Sequence, residues 1–301
     1  MKLIINADDF GVDYDRDIGI FYCVLRGYVS SVSVIVTNNI GVIRKLLIFI
    51  MKKKVSIGLH INLTDDPLLC CKSDELYSNK YTYKKSKYAF WRNSLEKTID
   101  LNVIDKEITT QFEKFVKCFG FIPNHIDGHN HCNIFHMNVN KIFQHISKKY
   151  KIHLRIPYEI INESDVRILK KDDYFQNFDI NKQHSTIKSI LNKYDYYLKY
   201  DMLLYNSLCK KFNFKDKIFF LGTIYGYVRD SQFLFNQIYF NNNILLAQLM
   251  CHPGFFFPFF SHKSKFSNFD RLKELKSLKQ LKKMIKDNNI NIVSYKEINI
   301  M

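Results

Sequence analysis

The sequence predicts an α/β fold, a single domain over residues 1–301 in which buried strands alternate with amphipathic helices. Three observations predict it. Short apolar runs rich in β-branched residues recur at 2–7, 31–37, 55–58, 218–221 and 245–250, too short for helices and too evenly apolar for strands with one wet face. Segments with apolar residues at helical spacing separate many of them. Several runs end abruptly on titratable side chains, the pattern by which α/β enzymes gather a site at the C-terminal ends of their strands. No linker, repeat or sustained charge block divides the chain.

The first run, 2–7, ends in Asp8, Asp9, Phe10 and Gly11. Adjacent side chains at a strand end diverge, so one carboxylate can ligate a cation while the other faces a bound water as a base; a plain Asp turn opening a helix is the alternative. The helix expected over 16–25 places Ile18, Phe21, Tyr22 and Leu25 on one face, and Gly27 ends it. A strand at 31–37 and a helix at 42–52 follow. The third strand, 55–58, leads into Gly58-Leu59-His60-Ile61-Asn62-Leu63-Thr64, which puts His60 at the same kind of position as Asp8 and Asp9. Residues 66–93 are rich in tyrosine and lysine without clear periodicity. A connection of that length is commonly a lid or binding loop, and Tyr77, Tyr81, Tyr83, Tyr88 and Trp91 are suited to stacking on sugar rings, a variable surface insertion being the alternative. The helix at 105–118 is amphipathic through Ile108, Phe112, Phe115 and Val116, and Gly120 marks its end.

The densest chemistry lies between Pro123 and His136, which hold four of the ten histidines in the chain together with Asp127. If the strand at 123–127 closes there and Gly128 turns the backbone, His129 and His131 leave the strand end with imidazoles free to converge. Imidazole nitrogens and a carboxylate are what a borderline divalent cation selects. A helix over 137–150 leads to a strand at 152–156 that ends in Arg155, Ile156 and Pro157, where an arginine can hold a catalytic carboxylate in place. Residues 161–214 read as predominantly helical. The strand at 218–221 enters a turn at 222–227, and the strand at 245–250 ends in Cys251-His252-Pro253-Gly254, a further histidine at a strand end. A lysine-rich amphipathic helix at 272–285, with its lysines on a solvated outer face, and a strand at 290–295 complete the chain.

Bulk composition narrows the class. Lys and Arg total 45 against 29 Asp and Glu, a net charge of +16, but the lysines are scattered without a basic arm or an arginine-rich block, which argues against a nucleic-acid partner. Seven cysteines without paired spacing point to a reducing compartment. The amino terminus turns polar too early for a signal peptide, and the longest apolar runs fall short of a membrane span. A cytoplasmic protein with no membrane partner is expected.

Taken together, Leu3 to Gly11 (LIINADDFG), Gly58 to Thr64 (GLHINLT), His125 to His131 (HIDGHNH), Arg155 to Glu159 (RIPYE) and Cys251 to Phe255 (CHPGF) resemble the YdjC-like carbohydrate deacetylases, in order and over almost the whole chain. The resemblance implies an irregular seven-stranded β/α barrel of the TIM-like kind with a metal site at the C-terminal ends of its strands. It implies a divalent cation, commonly magnesium, and hydrolysis of the acetamide on N-acetylglucosamine-containing saccharides. By motif, the metal ligands are Asp9, His60 and His129. By analogy with the polysaccharide deacetylases, Asp8 is the base, Arg155 orients it and His252 is the acid. The chain departs from the family's run of histidines at Asn130, Asn133 and His136. Two imidazoles are unusual for magnesium, so ligand chemistry admits Zn, Mn or Co. The expected partner is an acetylated oligosaccharide, and a homodimer is left open. The alternatives are a metallohydrolase of another substrate class, phosphoester or amide, and a non-enzymatic sugar- or nucleic-acid-binding protein.

Overall fold

Strand alternation decides the architecture. The computed structural model describes residues 1–65, 67–70, 90, 94, 99–134, 136–157, 218–222, 231–239, 245–255 and 268–298. In β1 (Lys2–Phe10), Leu3, Ile5 and Ala7 join the large apolar layer under the helices, whereas Ile4 packs against Val293 and Tyr295 on the other face. Asn6 and Asp8 share the face of Ile4, because successive side chains of a strand point to opposite sides. Around β1 the elements follow as α1 (Tyr14–Leu25), β2 (Ser31–Val34), α2 (Val42–Lys52), β3 (Ser56–Ile61), α3 (Leu101–Phe119), β4 (His125–Gly128), α4 (Met137–Tyr150), β5 (His153–Leu154), β6 (Phe219–Leu221), α5 (Ser231–Tyr239), β7 (Leu246–Cys251), α6 (Asn268–Asp287) and β8 (Asn291–Ile292).

Every pairing is parallel, in the order β5-β4-β3-β2-β1-β7-β6, and β8 pairs with β1 at Lys2 and Leu3, before β2 joins it at Asn6. The sheet is curled into a barrel. On a flat sheet β5 and β1, four places apart, would be separated by about 19 Å, well beyond the reach of one side chain. Yet Arg155, just after β5, forms two 2.7 Å hydrogen bonds to Asp8 of β1, and its guanidinium carbon lies 5.8 Å from the ring centre of Phe220 on β6, the opposite edge. The curled seven-stranded parallel path matches the irregular β/α barrel expected from the sequence, and among the described residues its two end strands, β5 and β6, are not paired with each other.

The interior is polar above an aromatic floor. Ser31, Ser33, Ser56, His60, His125, Asp127 and Gln248 are buried, and they alternate with apolar residues packed under the helices. At the floor the Tyr295 ring stacks on His125 at 4.1 Å, and its hydroxyl donates to Gln248 Oε1 at 2.6 Å. His125 leaves no room beside β3: a Cβ on Gly58 would collide with its ring. Gly58→Ala is expected to destabilise the fold by about 1–3 kcal/mol through overpacking, read as a lower thermal midpoint.

Local expectations hold unevenly. The helices at Val42–Lys52 and Met137–Tyr150 have the predicted bounds. The third strand runs on to Ile61, so His60 sits within it. Only Asn291–Ile292 of the expected last strand pairs, and the chain then enters a 3-10 turn at Tyr295–Glu297 closed by a Ser294–Glu297 capping box. Helix α5 was not expected. The expected face of α1 is inward only in part: Phe21 and Tyr22 pack partly buried against the core, but Ile18 and Leu25 are exposed, while Arg16, Asp17, Ile20, Cys23 and Val24 are buried. The cause is position, since the first turn of α1 abuts the ends of the strands. There Asp17 Oδ1 accepts from the Gly11 amide at 2.6 Å, and Arg44 Nε donates to Asp17 Oδ2 at 2.7 Å. The lysines of α6 do face outward over a buried row of Leu275, Leu278, Leu281 and Ile285. The tyrosines and Trp91 of 66–93, the 161–214 region and the turn at 223–227 lie outside the described residues.

Candidate metal centre

Five strands and the segments that leave them deliver titratable groups to one end of the barrel. Asp8 is the most constrained. Arg155 Nη1 and Nη2 donate to its Oδ1 and Oδ2 at 2.7 Å each, and Asn6 Nδ2 donates to Oδ1 at 2.6 Å. This is the two-pronged guanidinium–carboxylate geometry that fixes orientation as well as charge. Arg155 Nη1 is also 2.9 Å from Asp127 Oδ2, which accepts from Ser33 Oγ at 2.7 Å. Burial alone would push both carboxyls up, but Arg155 and then His60 outweigh it and hold both below the usual carboxylate range.

Asp9 turns the other way. Its backbone is left-handed, φ 72°, which costs a non-glycine residue about 1–3 kcal/mol. Gly11, at φ 106°, completes the turn where a Cβ would strike the Ile35 carbonyl. Asp9 Oδ1 lies 2.9 Å from His129 Nδ1 and 3.6 Å from His60 Nε2, and those two nitrogens are 3.3 Å apart. One ligand atom from each of Asp9, His60 and His129 falls within 4.8 Å of the others. Both imidazoles are held from behind by carboxylates: His60 Nδ1 is 2.6 Å from Asp127 Oδ1, and His129 Nε2 is 2.7 Å from Asp65 Oδ2. Asn130 supports Asp65, donating to its Oδ2 at 3.1 Å and to Thr64 Oγ1 at 2.8 Å.

This donor set fits a divalent cation on three grounds. Asp9 Oδ1 is buried without a hydrogen bond, although two imidazoles flank it. Each imidazole has its remote nitrogen on a carboxylate, the arrangement that orients histidine ligands. The local field also favours positive charge: against burial, Asp127 and Asp8 raise His60 to about 10. A second grouping, Asp8, His60 and Asp127, shares His60, but Arg155 binds both of its carboxylates. A cation there would have to displace the guanidinium.

The remaining expectations divide. His131 does not join the cluster. The backbone at Asn130 and His131 is left-handed, φ 51° and 55°, which sends the His131 ring edge-on to Phe220 at 6.0 Å, and burial, with Arg155 adding, pushes it down to about 3. His252 follows β7 with its amide donating to Glu274 Oε2 at 2.9 Å and its carbonyl accepting from Arg271 Nη1 at 3.1 Å. Its Nδ1 is 3.8 Å from Glu274 Oε1. Arg271 also stands 3.7 Å from Asp9 Oδ2, which ties the His252 segment to the cluster. Sequence reasoning missed Asp65, Arg16, Arg271 and Glu274. Arg271 and Glu274 were hidden among the lysines of α6, where only their shared inward spacing marks them.

Fold and cluster together define a β/α barrel with a candidate metal centre at the C-terminal ends of its strands. The YdjC-like protein family matches residues 2–286, and the chain belongs to that family. Its curated relatives include a carbohydrate deacetylase of Xenopus laevis, 26% identical over 163 residues, which are 53% of this chain and 52% of that protein. A chitooligosaccharide deacetylase of Proteus mirabilis is 33% identical over 134 residues, 44% of this chain and 50% of the relative. The chain thus spans about half the length of these curated relatives. A crystal structure from Enterococcus faecalis, of a protein provisionally named for cellobiose-phosphate cleavage, shares the fold: TM-score 0.68 at 20% identity, over 98% of this chain and 97% of that one. Among the described residues, no helix is long and apolar enough to cross a membrane.

Proposed function

We propose that the protein is a metal-dependent hydrolase that removes acetyl groups from N-acetylated carbohydrates, including N-acetylglucosamine-containing oligosaccharides. The observation that carries this reading is the division of labour between two adjacent aspartates, Asp8 locked by Arg155 and Asp9 turned toward two imidazoles, within a family whose curated relatives are named as deacetylases.

Asp9, His60 and His129 would hold the cation. When bound, it would lower the pKa of a water toward ~7 and polarise the acetyl oxygen. Asp8, kept ionised by Arg155, takes the proton of the attacking water at a carboxylate oxygen. Its lowered pKa makes it a weak base on its own. Asp127 and Asp65 fix the two imidazoles, and Ser33 and Asn6 complete the hydrogen bonding around Asp127 and Asp8. His252 protonates the departing sugar nitrogen. With Nδ1 turned to Glu274, Nε2 is the nitrogen that delivers the proton. Such general-acid assistance is worth on the order of 100- to 10,000-fold.

Two expected results check the reading. Metal-stripped protein should release acetate from short N-acetylglucosamine oligomers only after resupply of Mg, Mn, Co or Zn, and the most effective ion names the metal. Hydrolysis of a phosphodiester with no acetate release would instead place the site in another hydrolase class. Asp127→Asn should weaken metal binding on the order of 10- to 100-fold by loosening His60, as measured by titration calorimetry.

A further inference from the structure

Asp9 has only one oxygen turned toward the imidazoles, and a residue outside every motif accounts for it. Asp9 Oδ2 accepts from Arg16 Nη1 at 2.8 Å, with both side chains almost fully buried, at 5% and 6% exposure. Oδ1 faces His129 and His60 and makes no hydrogen bond. Arg16 is itself pinned from behind. Asp13 caps α1 by accepting the Arg16 amide on Oδ1 at 3.0 Å, and Asp13 Oδ2 lies 3.0 Å from Arg16 Nε. The relay from Asp13 through Arg16 to Asp9 therefore ties the start of α1 to the carboxylate, whose left-handed backbone needs such support. The two aspartates differ in how their arginines engage them: Arg155 occupies both oxygens of Asp8, whereas at Asp9 Arg16 hydrogen-bonds one oxygen, Oδ2, and Arg271 stands 3.7 Å from that same oxygen.

We propose that Arg16 is a positioning residue that makes Asp9 a one-oxygen ligand and so biases the centre toward cations satisfied by imidazole nitrogen, Zn2+ over Mn2+. This rests on the reading that Asp9, His60 and His129 hold a cation. Hard cations gain from extra carboxylate oxygens, and a two-oxygen aspartate is one way to supply them. Denying Oδ2 leaves two nitrogens and one oxygen, a set that suits zinc.

Metal-stripped wild type, Arg16→Met and Arg16→Lys would be titrated with Zn2+ and with Mn2+ against a chromophoric chelator. The preference for Zn2+ over Mn2+ should fall on the order of 10-fold in Arg16→Met and be largely retained in Arg16→Lys, which keeps a cation near Oδ2. An unchanged preference in folded Arg16→Met overturns the proposal while leaving the metal centre standing. Wild type that binds neither cation overturns the metal reading itself, and this inference with it. If circular dichroism shows Arg16→Met unfolded, Asp13→Asn keeps the capping oxygen but loosens Arg16. It should shift the preference in the same direction by about 3-fold, below the range for outright loss of such a partner, and no shift there overturns the proposal.

Discussion

Replacing His129 with alanine is expected to lower divalent-metal affinity on the order of 100-fold or more and to take acetate release to background. The magnitude follows from losing a direct donor, where loss of an outer partner already costs about 10- to 100-fold. His129 is the cleanest of the three candidate ligands to remove. It enters after β4, at the rim, and its partners are Asp9, His60 and Asp65. His60 lies deeper, between Asp127, Asp8 and Asp9, and its loss would unbalance three buried carboxylates at once. Titration calorimetry reads the affinity and an acetate assay the activity. A variant that keeps its activity at wild-type metal affinity would remove His129 from the centre.

The second large effect separates base from ligand. Asp8→Asn should keep metal affinity within a few-fold of wild type yet lower the rate of acetate release on the order of 100- to 10,000-fold, the range of general acid–base chemistry. The fold should survive. Breaking a buried ion pair commonly costs about 3–5 kcal/mol, because one charge is left alone. Here Arg155 keeps Asp127 at 2.9 Å, and an asparagine oxygen can still accept from it, so the loss should fall below that range. Loss of metal binding in Asp8→Asn would instead make Asp8 a ligand and reverse the roles of the two aspartates.

How much of this was legible in the sequence depends on the range of the interaction. Helices α2 and α4 could be bounded because their apolar periodicity is local. Asp8, Asp9, His60 and His252 are legible because each follows a short apolar run, and His129 because histidines crowd residues 123–136, whereas Arg155 stands out only as an arginine just before Pro157. The polar interior was not legible. Asn6, Ser33, His125 and Gln248 occupy alternate positions in strands that read as buried on both faces, and only curling the sheet reveals that one face lines a barrel. Arg155 and Asp8 are 147 residues apart, so no spacing rule pairs them, and only the family resemblance put them together in the sequence. The face of α1 is legible only in part, for a related reason. Apolar spacing marks Phe21 and Tyr22 correctly as core-facing, but Arg16 and Asp17 point inward because they serve the site, and Ile18 and Leu25 are left outside.

The most direct measurement is anomalous diffraction from crystals soaked in Zn2+ or Co2+, collected at the absorption edge of the metal. One peak is predicted within bonding distance of Asp9 Oδ1, His60 Nε2 and His129 Nδ1, with imidazole nitrogens about 2.0–2.1 Å from zinc, and with Asp8 still bound by Arg155. A peak between Asp8 and Asp127 with Arg155 displaced, or no peak among these side chains, would contradict the account.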